Sequence, residues 1–225
     1  MPLDISRIQA VLFDVDGTLS DTDDQWVNRM ERTLRPVRFL FPGRTAHHFA
    51  RRLLMALETP SNSIFTLLDR LHLDAGAFRV LQWISRASPR KKLQNFWVIP
   101  GVVELLENLH GRYPLAVVSA RDEASTLRFL DQYSLAPCFG AIATSQTCRY
   151  TKPFPDPVVW AAARLGIEPE RCLMVGDTVM DVRAGRSAGA QTAGVLCGFG
   201  MEDELRRAGA DEILPSTADL ARFLY

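Results

Sequence analysis

The chain has 225 residues, 47% hydrophobic and 23% charged, with 26 Lys and Arg balanced by 26 Asp and Glu. That is enough for one large domain or a core with a smaller insert, in the composition range of ordinary globular proteins. Zero net charge gives no global pull towards nucleic acid or an anionic membrane. It hides an asymmetry: residues 20–99 hold 13 Lys/Arg against 7 Asp/Glu, leaving that stretch about +6 and the remainder about −6. A basic lid over an acidic core would suit an anionic substrate, although solvated helix faces at Arg51-Arg52 and Arg90-Lys91-Lys92 account for most of these charges. Cys138, Cys148, Cys172 and Cys197 are widely spaced and form no CxxC pair, which argues against zinc and a disulfide framework and suits a reducing cytosol. There is no basic leader, and no run approaches the ~20 apolar residues of a membrane span. The expectation is a cytoplasmic protein with no nucleic-acid or membrane partner, either a monomer or a homodimer.

An apolar run beginning at Ile8 and continuing through Val11, Leu12 and Phe13 predicts a buried strand. It ends in Asp14-Val15-Asp16-Gly17-Thr18-Leu19. After Leu19 the texture turns helical for about eighty residues. Trp26, Met30, Leu34 and Val37 follow N-cap candidates at Asp21 to Asp24, and further helices are predicted over 45–57, 63–71 and 74–87. Four helices with short loops predict a small bundle, residues 20–99, in which the Met and aromatic positions form the core. Pro100-Gly101 marks the change of rhythm. Helices are predicted over 102–110, 122–132, 156–165, 179–188 and 202–208. They alternate with strands over 115–119, 141–144, 172–175, 191–196 and 212–214. This alternation predicts an α/β core, residues 1–19 and 100–225. Its parallel sheet carries helices on both faces, a Rossmann-like three-layer sandwich with the all-α insert after its first strand.

In such sheets ligands bind beyond the carboxyl ends of the strands. The polar residues there are Asp14 and Asp16, Ser119, and Asp177 with Asp181 four residues on; Lys152, in a Pro-rich loop, joins them. Residues i and i+2 of an extended chain point the same way, so Asp14 and Asp16 aim at one spot. Asp177 and Asp181 are expected on one face at the start of a helix. A single Asx-Gly turn or a helix-capping Asp177 would be unremarkable, but neither accounts for five acceptors and a lysine at one edge. So many carboxylates repel one another without a cation, and a hard, oxygen-seeking ion such as Mg2+ fits best.

Asp14-Val15-Asp16-Gly17-Thr18-Leu19, Ser119 after an apolar strand, Lys152-Pro153 and Gly176-Asp177-Thr178-Val179-Met180-Asp181 resemble the four ordered motifs of the haloacid dehalogenase-like hydrolase superfamily. The helical insert looks like the cap of its phosphoglycolate phosphatase and β-phosphoglucomutase-like branch. Pro100-Gly101-Val102, the Lys152-to-Pro157 segment and the Gly194-to-Gly200 loop are similar to phosphoglycolate phosphatases. The resemblance implies an Mg2+-dependent phosphatase acting on a small phosphorylated metabolite. In it Asp14 is the nucleophile that forms an aspartyl-phosphate. Asp16 is the general acid and then the base, with its pKa raised by its neighbour while Asp14 stays ionised on the metal. Ser119 and the amides near Gly17 and of Ala120, at its helix start, bind phosphate, and Lys152 offsets charge. The metal is held by Asp14, the main-chain carbonyl of Asp16, and Asp177. Asp181 acts through water or by orienting Lys152. Ala120 stands where asparagine or glycine is commoner, and Thr178 where serine is frequent. Arg44, His47 and His48 are candidates for substrate contact, though a surface helix face explains them too, and Trp26 reads as an anchor for the cap.

The alternatives are a phosphomutase of the β-phosphoglucomutase type and a non-catalytic phosphate-binding protein. A dehalogenase does not require Asp16 or the Asp177–Asp181 pair. A phosphonatase is expected to draw a lysine from its cap, where Lys91 and Lys92 are alone and sit at the end.

Overall fold

The computed structural model describes residues 3–21 and 96–225. The chain divides into two units, Met1–Gln25 with Asn95–Tyr225, and Trp26–Gln94. The helices predicted between residues 22 and 95, with Trp26, Arg44, His47 and His48, lie outside the described residues.

The first unit is built on strands β1 (Ala10–Phe13), β2 (Leu115–Val118), β3 (Ala141–Ala143), β4 (Cys172–Gly176), β5 (Gln191–Val195) and β6 (Glu212–Leu214). All pairings are parallel and the strand order is β3-β2-β1-β4-β5-β6. Between the strands run α1 (Val102–His110), α2 (Glu123–Gln132), α3 (Asp156–Leu165), α4 (Val179–Ala188) and α5 (Glu202–Ala208), and the chain closes with α6 (Ala221–Leu224). Every residue of β1, β2, β4 and β5 is buried, which is why β1, β2 and β4 read as continuous apolar runs rather than alternating ones, while β5 opens on the buried polar residues Gln191 and Thr192. Ala10 and Leu12, Ala116 and Val118, and Cys172 and Met174 share one face. They pack with Val158, Ala161 and Ala162 of α3 and Ala184 of α4. The alternate residues Val11, Phe13, Val117, Leu173 and Val175 are equally excluded from water. A sheet buried on both sides is the expected α/β sandwich.

The helices carry their apolar residues at helical spacing: Val102, Leu105, Leu106 and Leu109 in α1, and Val158, Ala161 and Ala162 in α3. Asp122 caps α2, its side chain accepting from Ser125 N at 3.0 Å. Short pieces of three or four residues were not predicted, among them 3-10 turns at Ile5–Arg7, Ala136–Cys138, Pro169–Arg171 and Thr217–Leu220 and helix α6, because so few residues cannot show a period. Among the described residues no helix is long and apolar enough to cross a membrane.

Strand order reverses at β1, whose neighbours are β2 on one side and β4 on the other. A crevice opens beyond the strand ends at such a point. There the chain leaving β1 pairs with the chain returning to the sheet. Ser20 is bridged antiparallel to Val98, Asp21 N donates to Trp97 O at 2.8 Å, and Ile99 N donates to Leu19 O at 3.0 Å.

Candidate active site

Phe13 of β1 is level with Val175 of β4 and Val117 of β2. Asp14 therefore leaves the sheet beside Gly176-Asp177 on one side and Val118-Ser119 on the other, and its amide still donates to Val175 O at 2.9 Å. Asp14, Asp177 and Asp181 are all buried and each offers a carboxylate oxygen within 4.8 Å of the other two. Lys152 reaches the same point from the loop before α3. Its Nζ lies 2.6 Å from Asp14 Oδ1 and 2.6 Å from Asp181 Oδ1.

Asp177 and Asp181 meet differently from the expectation. Helix α4 begins at Val179 with Thr178 as its cap, so Asp177 belongs to the strand end and not to a helix face. The two acids converge across the capping turn. Asp181 Oδ2 accepts from Thr178 N at 2.9 Å and from Thr178 Oγ1 at 2.6 Å, while its Oδ1 takes Lys152. Both oxygens of Asp181 are thus engaged by protein groups. Asp177 Oδ2 accepts from Phe199 N at 2.8 Å, so the loop after β5 closes over this acid. The approach is close enough to demand glycine. A Cβ on Gly17, which has φ +74°, or on Gly198 would overlap the Asp177 carboxylate.

The other predicted residues fall around this centre. Ser119 is buried, and its Oγ accepts from Arg121 N at 3.1 Å, leaving the hydroxyl proton to donate. Ala120 is exposed and lies two residues before the cap of α2, not at the helix start. Asp16 is engaged by a residue that had not been singled out: Arg121 donates from Nε to Asp16 Oδ2 at 3.1 Å and from Nη2 to Asp16 Oδ1. The guanidinium is buried and lies over the Phe96 ring, 4.8 Å from its centroid. The available signal was an arginine two residues past Ser119, at the carboxyl end of a central strand. The Gly198-Phe199-Gly200 spacing was the corresponding signal for the loop over Asp177.

Electrostatics follow from burial. Loss of solvent pushes the Asp14 carboxyl up to about 7; Asp181 and Asp16 push the same way, and Lys152 opposes them without prevailing. Burial acts to lower Lys152, but the carboxylates of Asp14 and Asp181 outweigh it and hold the ammonium above its usual range. Desolvation thus falls on Asp14, the more buried acid, while Asp16 faces the guanidinium fork of Arg121. One ammonium shared by two of three buried carboxylates leaves a donor set of hard oxygens, which fits a divalent cation such as Mg2+. A cation there would draw Asp14 back to its ionised form.

Residues 11–195 match the family profile described as haloacid dehalogenase-like hydrolase. The chain belongs to that family of hydrolases. Among curated proteins it is 27% identical over 216 residues to the pyrophosphatase PpaX of Bacillus pumilus, covering 96% of this chain and 95% of the relative. It is 30% identical over 194 residues to a phosphoglycolate phosphatase of Aquifex aeolicus, covering 85% and 86%. Among solved structures, a haloacid dehalogenase-like family hydrolase from Streptococcus pneumoniae superimposes with TM-score 0.67. That match has 23% identity and covers 98% of this chain and 100% of the other. The fold expected from sequence is the fold of the family.

Proposed function

We propose that the protein is an Mg2+-dependent phosphatase that hydrolyses a small phosphorylated metabolite through an aspartyl-phosphate on Asp14. The observation that carries this reading is the convergence of three buried carboxylates beyond the carboxyl ends of β1 and β4, two of them bound by Lys152. The names of the curated relatives support phosphoglycolate and pyrophosphate as the first substrates to try.

Asp14, Asp177 and the main-chain carbonyl of Asp16 would hold the metal, with Asp181 orienting Lys152 and reaching the ion through water. Bound there, Mg2+ would supply charge neutralisation at the phosphoryl oxygens. Lys152 adds a second positive charge, and Ser119, with the amides near Gly17 and Ala120, donates to the remaining oxygens. Asp14 Oδ then attacks phosphorus in line. The bond to the leaving oxygen breaks, and Asp16 passes that oxygen a proton. In the second half Asp16 takes a proton from water, the water oxygen bonds to phosphorus, and the electron pair of the Asp14–phosphorus link returns to the carboxylate as phosphate departs.

Uncatalysed phosphate-monoester hydrolysis calls for accelerations approaching ~10²¹-fold, so nucleophile, acid, metal and water exclusion must act together. Residues 20–99 would provide that exclusion as a cap. The test is turnover of p-nitrophenyl phosphate with Mg2+, then of phosphoglycolate, pyrophosphate, sugar phosphates and nucleotides. Wild type inactive across the whole panel would end the proposal, and full activity in Asp14→Asn would remove the nucleophile assignment. A mutase would convert a sugar phosphate to its isomer without releasing free phosphate.

A further inference from the structure

Resting on the reading of Asp16 just given, we propose that Arg121 is the positioning residue for Asp16 in the water-activating half of the reaction. The observation is the two-pronged contact. Nε donates to one carboxylate oxygen of Asp16 and Nη2 to the other, so both oxygens are acceptors and the plane of the carboxylate is fixed. A carboxylate held this way presents lone pairs, which suits taking a proton from water.

The arginine is itself rigidly set. Its amide donates to Ser119 Oγ, and its side chain is 7% exposed against 38% for Asp16. Its guanidinium lies over Phe96, whose backbone is clamped in turn. Phe96 N donates to Gln132 Oε1 at 3.1 Å, and Phe96 O accepts from Gln132 Nε2 at 2.7 Å and Tyr133 Oη at 2.7 Å. A buried, pre-oriented fork against a half-exposed acid is the asymmetry of a support and the group it supports. A surface ion pair would have both partners wet. Lysine could supply the charge but not the plane.

The experiment uses p-nitrophenyl phosphate, whose acidic phenol leaves without a proton, so formation of the aspartyl-phosphate does not need Asp16 as an acid. The ratio kcat/KM reports steps up to that first irreversible one, whereas kcat also reports hydrolysis of the intermediate. Arg121→Ala is expected to lower kcat roughly 10- to 100-fold while leaving kcat/KM within about threefold. Rapid mixing should show a burst of p-nitrophenolate stoichiometric with enzyme, and the phosphorylated protein should be visible by mass. Arg121→Lys should show the same split with a smaller fall, and it carries the test if the alanine variant fails to fold. On an Asp16→Asn background, Arg121→Ala should cost little more. Equal falls in kcat and kcat/KM without accumulated phosphoprotein would overturn the proposal, as would full additivity with Asp16→Asn. Inactive wild type would instead remove the phosphatase reading beneath it.

Discussion

Lys152 donates to Asp181 Oδ1 at 2.6 Å with both side chains almost excluded from solvent, 5% and 1% exposed. The same ammonium reaches Asp14, so a single positive charge balances two acids, one at the end of β1 and one in the first turn of α4. Removing it leaves buried carboxylates facing one another. Lys152→Met should therefore destabilise the metal-free protein by about 3–5 kcal/mol at neutral pH, because breaking a buried pair strands its partner. Denaturant unfolding of the two proteins checks this. Activity should fall at least about 100-fold, the scale seen when a donor to the reacting oxygens is removed.

The raised carboxyl of Asp14 predicts a pH dependence with a definite sign. Its proton is favoured in the folded state, so it contributes stability fully present below the unfolded value of 3.8 and lost as pH rises through about 7. Mg2+ competes for the same group. Its apparent affinity should weaken about tenfold per pH unit below 7 if one proton is displaced, and level off above. Calorimetric titration between pH 5.5 and 8.5 measures this directly. A flat affinity over that range would contradict the burial argument.

Gly198 is required by its approach to Asp177, since a Cβ there would overlap the carboxylate. Gly198→Ala should push Asp177 or the Phe199 amide out of place and weaken Mg2+ binding roughly tenfold or more, with the sheet unaffected. Circular dichroism would report the retained fold, and the Mg2+-induced rise in Tm would report the lost affinity.

Thr217, far along the chain, ties the first motif down. Its Oγ1 donates to Thr18 O at 2.6 Å in a fully buried position. Thr217→Val keeps the shape but leaves a carbonyl unpaired, at a cost of about 1–3 kcal/mol. Thermal unfolding should show the loss, and limited proteolysis should show easier cleavage near residues 16–21.

Much of this was legible in the sequence. Continuous apolar runs and helical spacing placed the six strands and α1 to α5 to within a residue or two at most boundaries, because a parallel sheet buried on both faces imprints its pattern on every strand. The residues that end those strands were also legible, since polar side chains interrupting such runs are conspicuous. Asp14 and Asp177 were named that way, Asp181 by its spacing from Asp177, and Lys152 from its Pro-rich loop. Strand order was not legible. β1 lies between β2 and β4, and only that reversal brings Asp14 beside Asp177.

By itself, then, the chain determined its fold class and the cast of acids at one edge of the sheet, since both follow from local periodicity and residue chemistry. Which acid bears the cost of burial, and what each touches, was decided only by tertiary structure. Composition cannot say that Asp14 is the acid pushed up by desolvation, or that Arg121 turns its fork towards Asp16. Nor can it say that Gly17 and Gly198, distant from Asp177 along the chain, close on its carboxylate; those contacts depend on loops meeting across the sheet, and electrostatic strength depends on distance and excluded water.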